Sequence, residues 1–526
     1  MGFWTKAGRA CAAVGVAVVL AGAAGVARAD TYLDNANKLY ANIAQNRRSD
    51  LIILPVLAKC DAPPASPGDF LSAALMTAQN PAFSAAADWA KAKPQQDAVA
   101  ALKRVTSEED GRNAWAFGQP YGGGAVDPEF VVMGLYTELG EEGTLAAADF
   151  KYLPAVQRLE LLAHVEATRL LAEGKGLEAL DLMRRWAMFS FQIASRQMLK
   201  EELEGGRMLS IALARMRDLA YTDMMSEKPT MTADGLREIV SKLDVRNPVN
   251  IERLDLPDAE RLAAEQLVDR TFTSAGPNPQ TFAKTYAMVA AKGRPLRRFS
   301  EAAKWDTIVR LHGSTEDTRR MIRDVYGDWR KRWEVSQWDV IQEVPTDYAR
   351  LDKVRFAALD LVIGDVGAVF PMRRQLWVEW VGTRTALAVY GHRLLVAKLP
   401  VRLEAVSPHF IRKIDLMFDP FDKTAKDTAG RRLVYMRATI DNMPVGQPPQ
   451  PHVFRVFPKV EGVEFPNFEA KVMEGQFVLY SAGPDGNQNG MTKATQMVKD
   501  DYGDYLLWPP VLSLMRQNLI DTGKQP

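Results

Sequence analysis

The chain has 526 residues, with 66 Lys+Arg against 65 Asp+Glu, 47% hydrophobic residues and 25% charged. These values match ordinary soluble globular proteins and exclude a disordered chain, a collagen-like chain and a multi-span membrane protein. A formal net charge of +1 gives no overall basic field that would draw the protein onto nucleic acid.

Lys6 and Arg9 precede an apolar run of small residues over 10–26, and Ala27-Arg28-Ala29 follows as a small-x-small cleavage site. This pattern predicts a secretory signal peptide over residues 1–29, with the mature chain starting at Asp30. The protein is therefore expected to be exported, periplasmic or extracellular, with no membrane span left after cleavage. The mature balance is then 63 basic against 65 acidic residues. Cys60 is the one cysteine left, so an internal disulfide or a C-x-x-C metal motif is excluded and a structural thiol is expected.

Residues 30–350 read as a mainly helical domain of antiparallel hairpins. Tyr32, Ala36, Leu39, Tyr40 and Ile43 recur at helical spacing, and Asp69 is placed to cap a helix from Phe70. Residues 115–130 are too rich in Gly and Pro for regular structure. From Ala155 to Lys228 there is no proline. Breaks at Gly174-Lys175-Gly176 and at Gly205-Gly206 predict three helices joined by short turns. The segment 176–193 resembles one helix of a helical-hairpin repeat, with no second copy at a fixed period.

Residues 351–526 are expected to hold a long helix and a small antiparallel sheet, an α+β arrangement. Two helices divided by Pro371 are predicted over 350–396, the second starting at Met372. Beyond Lys398 the composition changes: 13 of the 30 prolines fall within residues 400–526. Short β-type runs appear at 432–437, 452–457 and 476–480.

The order of motifs there is Leu399-Pro400, Phe418-Asp419-Pro420-Phe421, the strand through Tyr435, the strand ending at Tyr480, Ser481-Ala482-Gly483-Pro484-Asp485-Gly486, and Asp504 followed by Trp508. This series resembles the globular domain of the major pseudopilins of type II secretion. The whole chain resembles a group of exported bacterial helical proteins that carry the same C-terminal pattern. The first resemblance implies a pseudopilin-like α+β domain whose final loop binds calcium through Asp485 and Asp504, with Ser481 and Asp501 behind them. The donor chemistry suits a hard ion, since Asn487, Asn489 and Asp500 add further oxygens among flexible glycines. A solvated turn whose acids cap backbone amides is the competing reading. The ordinary signal peptide and the long helical region before the pattern depart from pseudopilins, which puts assembly into a pseudopilus in doubt.

No nucleophile elbow, Walker loop, dinucleotide fingerprint or paired-histidine metal motif occurs. Glu160 and His164 lie one helical turn apart in reach of each other, and are read as a surface or semi-buried pair ahead of a catalytic one. The acid pairs Glu108-Glu109, Glu141-Glu142 and Glu201-Glu202 are read as exposed helix ends rather than glycosidase carboxylates, and Gly122-Gly123-Gly124 as a plain turn. Trp329-Arg330-Lys331-Arg332-Trp333, with Trp338, Arg319, Arg320 and Arg323 nearby, is read as an amphipathic helix with Trp inward and Arg stems over it, ahead of a site for an anionic polymer. The functional expectation is a non-enzymatic structural or interaction protein of the cell envelope, its partner a protein or an envelope polymer, with calcium stapling the C-terminal loop. The alternatives are an envelope hydrolase using acids of the helical region and a secretion-system component.

Overall fold

The computed structural model describes residues 31–107, 115–244, 251–291, 294–335, 339–364, 366–412, 432–437, 451–458, 465–495 and 503–524, together with Asp419 and Phe421. The predicted signal peptide, Glu108-Glu109, Trp338, Asp500 and Asp501 lie outside the described residues. The first helices are α1 (Thr31–Ala41), α2 (Asp50–Leu57), α3 (Phe70–Leu75), α4 (Phe83–Lys91), α5 (Lys93–Val105) and α6 (Pro128–Val132). A hairpin of β1 (Thr137–Gly140) and β2 (Thr144–Phe150) follows. Next come α7 (Leu153–Ala172), α8 (Gly176–Ala194), α9 (Leu199–Met225), α10 (Ala233–Lys242), α11 (Asp258–Thr271), α12 (Pro279–Ala291), α13 (Pro295–Ile308), α14 (Thr315–Glu334), α15 (Ala357–Val362) and α16 (Val369–Val396). The C-terminal part adds β3 (Val434–Arg437), β4 (His452–Phe457), β5 (Phe468–Val472), β6 (Phe477–Ser481), β7 (Lys493–Thr495), β8 (Asp504–Trp508) and α17 (Val511–Asp521).

Several local expectations hold for the reasons that suggested them. Asp69 caps α3, its carboxylate accepting from the Ser72 amide at 2.8 Å. Helices α7 and α8 are separated at Gly174, whose φ of +75° suits a residue without a side chain. Gly205-Gly206 is a correction: α9 runs straight through both. The true break lies over Ser195–Met198. The glycines are there for close approach. A Cβ on Gly205 would stand 2.2 Å from the Ala194 amide nitrogen, and one on Gly206 2.1 Å from the Met372 Sδ. Those two contacts let α9 lie against both α8 and α16. Pro371 likewise does not divide two helices. It sits in the first turn of α16, where the missing N–H would have had no intrahelical partner.

The C-terminal sheet has six strands in the order β3-β6-β8-β7-β4-β5. The pairs β3/β6, β6/β8 and β4/β5 are antiparallel. The three-residue β7 joins the two antiparallel blocks by running parallel to both β8 and β4. Side-chain alternation splits the sheet between two cores. Phe477, Leu479, Tyr505 and Leu507 face the main core, a single cluster whose members range from Ala36 to Trp508. Val478, Tyr480 and Leu506 face a second core, closed by Leu512 and Met515 of α17, Leu71 and Leu75 of α3, and Ala214 of α9. Strands β6 and β8 are thus covered on both faces, which accounts for their continuous apolar character.

Candidate functional site

A groove of about 1580 Å³ runs along α9. Its floor is the α9 face from Leu199 to Ala214, which at 1.5 Å per residue is about 22 Å long. One wall is aliphatic: Met288 of α12, Leu361, Val362 and Ile363 at the end of α15, and Met372 and Leu376 of α16. The other is polar and is built from Gln157 of α7 and Lys200, Glu204 and Arg207 of α9, with the β1/β2 hairpin beyond them. The α7–α9 pairing sets this division, because residues 200, 204 and 207 share one face of α9 while 199, 203, 206 and 210 share the next.

The polar wall is held by ion pairs. Arg207 bridges Glu160, through bonds of 2.7 and 3.2 Å, and Glu204, through bonds of 2.8 and 3.1 Å. Burial opposes ionisation of Glu204, but the hydrogen bonds and charge of Arg207 prevail and hold its carboxyl below the usual range. Glu160 lies behind Arg207, and there burial wins and pushes its carboxyl up. Arg298 bonds Glu141 at 2.8 Å and keeps that carboxyl low. Both phenylalanine rings of the groove carry a cation: Arg207 lies 4.5 Å from the Phe70 ring centre and the Lys200 ammonium 5.6 Å from that of Phe150. Among the described residues Lys200 and Arg294 form no ion pair.

The structure separates Glu160 from His164. The acid is taken by Arg207, while His164 is fully buried with neither ring nitrogen bonded among the described residues. Burial, helped by Arg215 and Arg207, pushes its pKa down to about 3. Glu201-Glu202 is a further correction, since both residues are fully buried rather than exposed at a helix end. Glu201 accepts from Arg196 Nε at 2.9 Å, from the Tyr121 hydroxyl at 2.8 Å and from the Tyr152 hydroxyl. The Arg196 guanidinium lies 4.0 Å from the Tyr40 ring centre and donates to the Gln119 carbonyl at 2.7 Å. This network pins the irregular 115–121 segment onto α8 and α9. Neither carboxyl oxygen of Glu202 is bonded among the described residues; burial and then the charge of Asp255 push it well above the usual range, against the pull of Arg373.

The Trp/Arg segment of α14 takes the amphipathic arrangement. Trp329 is buried and Trp333 donates to the Leu254 carbonyl. Arg330 pairs with Asp258, Arg332 with Asp328, Arg319 with Asp269 and Arg320 with Asp317. Gly122 forms a turn whose amide donates to the Thr137 carbonyl. The Cys60 thiol is half-buried and donates weakly to the Val56 and Pro94 carbonyls, and burial pushes it up.

At the C-terminal loop, Ser481 donates its hydroxyl to Asp419 at 2.7 Å, and Asp419 also accepts the amides of Phe421 and Ala482 at 3.0 Å. Asp504 accepts the amides of Asn489 and Met491 at 3.1 and 2.7 Å. Asp485 accepts the amide of Asn487 at 2.9 Å. Burial raises the Asp504 carboxyl to about 6, with the charges of Asp485 and Asp419 adding to it and the two amides opposing it. The donors are all oxygens, and each Asp504 oxygen keeps a second lone pair, so the chemistry suits a hard cation. Among the described residues no group of three or more His, Cys, Asp or Glu is placed to hold a metal. Sequence reasoning missed Asp419 as the partner of Ser481, and it missed the groove, whose residues come from nine helices and a hairpin. Comparison with known proteins finds no family model, no curated protein and no solved structure similar to this chain.

Proposed function

We propose that this is an exported, non-enzymatic binding protein of the cell envelope, whose groove along α9 takes an amphipathic peptide segment of a partner protein. The supporting observation is the lengthwise division of the groove into an aliphatic wall and an ion-paired polar wall. A helix laid in such a groove puts its apolar stripe on Met288, Met372 and Leu376 and its polar face on Lys200, Glu204 and Arg207. At about 1580 Å³ the cavity exceeds the usual small-ligand range of about 300–1000 Å³. Sugar chains pack on open aromatic faces, and the faces of Phe70 and Phe150 are already taken by Arg207 and Lys200. The hydrolase alternative requires a carboxyl able to give up a proton in the groove. Of the acids lining the groove, Glu204 and Glu141 are held below the usual range by Arg207 and Arg298, Glu138 and Asp149 pair with Lys151, Glu379 pairs with Arg217 and Glu260 accepts the Leu199 amide. The C-terminal region keeps its pseudopilin-like reading within this proposal, with α16 as the long helix under the sheet and calcium as a staple at Asp504 and Asp485. Export rests on the basic-then-apolar N-terminus, and terminal sequencing of the mature protein should find Asp30.

A random peptide library panned on the full chain tests the groove. Enriched peptides should carry aliphatic residues at i, i+3, i+4 and i+7. Their binding should drop about tenfold or more when Ser210→Trp fills the floor or Lys200→Glu reverses the free charge, since a single 1.4 kcal/mol interaction is worth that factor. Peptides that ignore both substitutions, in variants with unchanged melting temperature, overturn the proposal.

A further inference from the structure

Helix α13 presents an unusual outer face. Leu296 is 88% exposed and Phe299 80%, and the i, i+3 spacing puts both on one side of the helix. Ala303, also exposed, continues that side by one turn. The inner side is anchored by Trp305, which is 2% exposed and packs 5.1 Å from the Tyr286 ring and 5.8 Å from the Phe282 ring. The helix is therefore held in place, and its outward apolar stripe is not left over from a missing core.

Arg294, Arg297 and Arg298 flank the stripe at the first turn. No acid occupies that turn, although acids are what the positive end of a helix favours. Lys284 of α12 lies near enough to act on the same Glu141 that pairs with Arg298. Glu301, the acid of the second turn, is mostly buried and paired with Lys304. Two large apolar side chains beside Arg294 and Arg297, with Arg298 engaged by Glu141, complement a surface that is anionic outside and apolar just beneath. The stripe spans about 10 Å over residues 296–303. That is too little for the roughly 800 Å² per partner of a specific protein–protein interface, whereas a bilayer needs only a few anchors and a matching charge.

We propose that α13 is a membrane-surface contact: Leu296 and Phe299 enter the head-group region of an anionic bilayer, and Arg294, Arg297 and Lys284 face its phosphates. Arg294 lies at the rim of the peptide groove, whereas Leu296, Arg297 and Phe299 do not line it, so substitutions at those three positions test this contact alone. It holds the protein on a membrane face without spanning it; among the described residues no helix is long and apolar enough to cross.

Co-sedimentation of the mature full chain with vesicles tests this. The protein should bind vesicles of equal parts phosphatidylcholine and phosphatidylglycerol, bind phosphatidylcholine alone at least about tenfold more weakly, and release as salt screens the charges. The double variant Leu296→Ser, Phe299→Ser and the single variant Arg297→Glu should each lose about tenfold in binding. All three positions are exposed, so the variants should keep the wild-type melting temperature. A Phe299→Trp variant should shift its emission to the blue on the anionic vesicles. Equal sedimentation with both vesicle types, a double variant that sediments like wild type, or an unshifted emission overturns the proposal. Library-selected peptides should bind the double variant as they bind wild type, so the two readings fail separately.

Discussion

Glu201 in the helical region and Asp419 beside the C-terminal sheet are both buried carboxylates, and the fold satisfies them by different means. Glu201 is met by side chains: the Arg196 guanidinium and the hydroxyls of Tyr121 and Tyr152. Asp419 is met by a serine hydroxyl and two backbone amides. The difference follows from the local backbone. Amides inside a helix are spent on the carbonyl four residues back, so a carboxylate between helices must find cationic or hydroxyl side chains. A loop at the end of a strand has spare amides that it can turn onto a carboxylate. The same contrast appears where the two regions join. Asp218 of α9 is fully buried and takes Arg516 of α17 at 2.7 Å together with Arg215. Arg516 also donates to the Ala74 and Leu75 carbonyls, which ties the end of the chain to α3 and α9.

The helical half of this comparison breaks most visibly at Arg196. Arg196→Leu removes the cation from a fully buried site and leaves Glu201 with the tyrosines alone. The expected cost is about 3–5 kcal/mol, because an uncompensated buried charge remains. A denaturant midpoint shifted by that amount, with increased proteolysis near residues 115–121, is the outcome sought. A loss below about 1 kcal/mol would show that the tyrosine hydroxyls suffice, and the side-chain half of the contrast would go.

How much of this was legible in the sequence differs between the regions. Asp69 reveals the start of α3 because capping is local, whereas Pro371, read as a divider, lies in the first turn of α16. Three of the six C-terminal strands, β3, β4 and β6, were readable because each is short, β-rich and bounded by turn formers. Gly205-Gly206 misled because a glycine pair reads as a break, and only the packed partners Ala194 and Met372 show that it serves close approach. Strand β7 escaped notice because three residues carry no periodicity, and its pairing with β4 and β8 is set by the tertiary fold. The groove was unreadable for the same reason: Phe70, Lys200, Met288 and Met372 lie far apart in sequence, and none belongs to a motif. The basic-apolar start of α13 was present in the sequence as Arg294-Pro295-Leu296-Arg297-Arg298-Phe299. Its meaning depends on which side Trp305 turns inward, and that is a packing fact.

Glu202 sharpens the comparison from the opposite side, as a buried helical carboxyl that received no partner among the described residues. Its folded-state pKa is raised, so the native protein holds the proton more tightly than the unfolded chain does. Stability is therefore lost as pH rises above the unfolded value of about 4.3 toward the elevated folded value. Glu202→Gln removes that dependence and should raise stability near pH 7 by about 1–3 kcal/mol, the usual cost of an unpaired buried polar group. The gain should vanish below about pH 4, where the glutamate is neutral in both states. A variant destabilised at both pH values would show that Glu202 has a compensating partner, and the helical region would then satisfy every buried acid.

The smallest effect is expected at Asp504, where amide satisfaction is incomplete. Two amides hold the carboxylate, yet burial and the nearby charges of Asp485 and Asp419 raise it to about 6. The sign follows that of Glu202: stability declines as pH climbs from about 4, the ordinary aspartate value, to about 6. Calcium, if bound here as proposed, would oppose this decline by neutralising the charge that appears over that interval. At pH 7 calcium should raise the wild-type melting temperature by a degree or two, as befits a change of less than about 1 kcal/mol in a chain of this size. Chelator should reverse the rise, and Asp504→Asn should abolish it. Without calcium, the gap in melting temperature between wild type and Asp504→Asn should move in the variant's favour between pH 4 and pH 7. A wild-type melting temperature indifferent to calcium, together with that pH-dependent gap, would mean that the two amides close the loop at Asp504 without an ion.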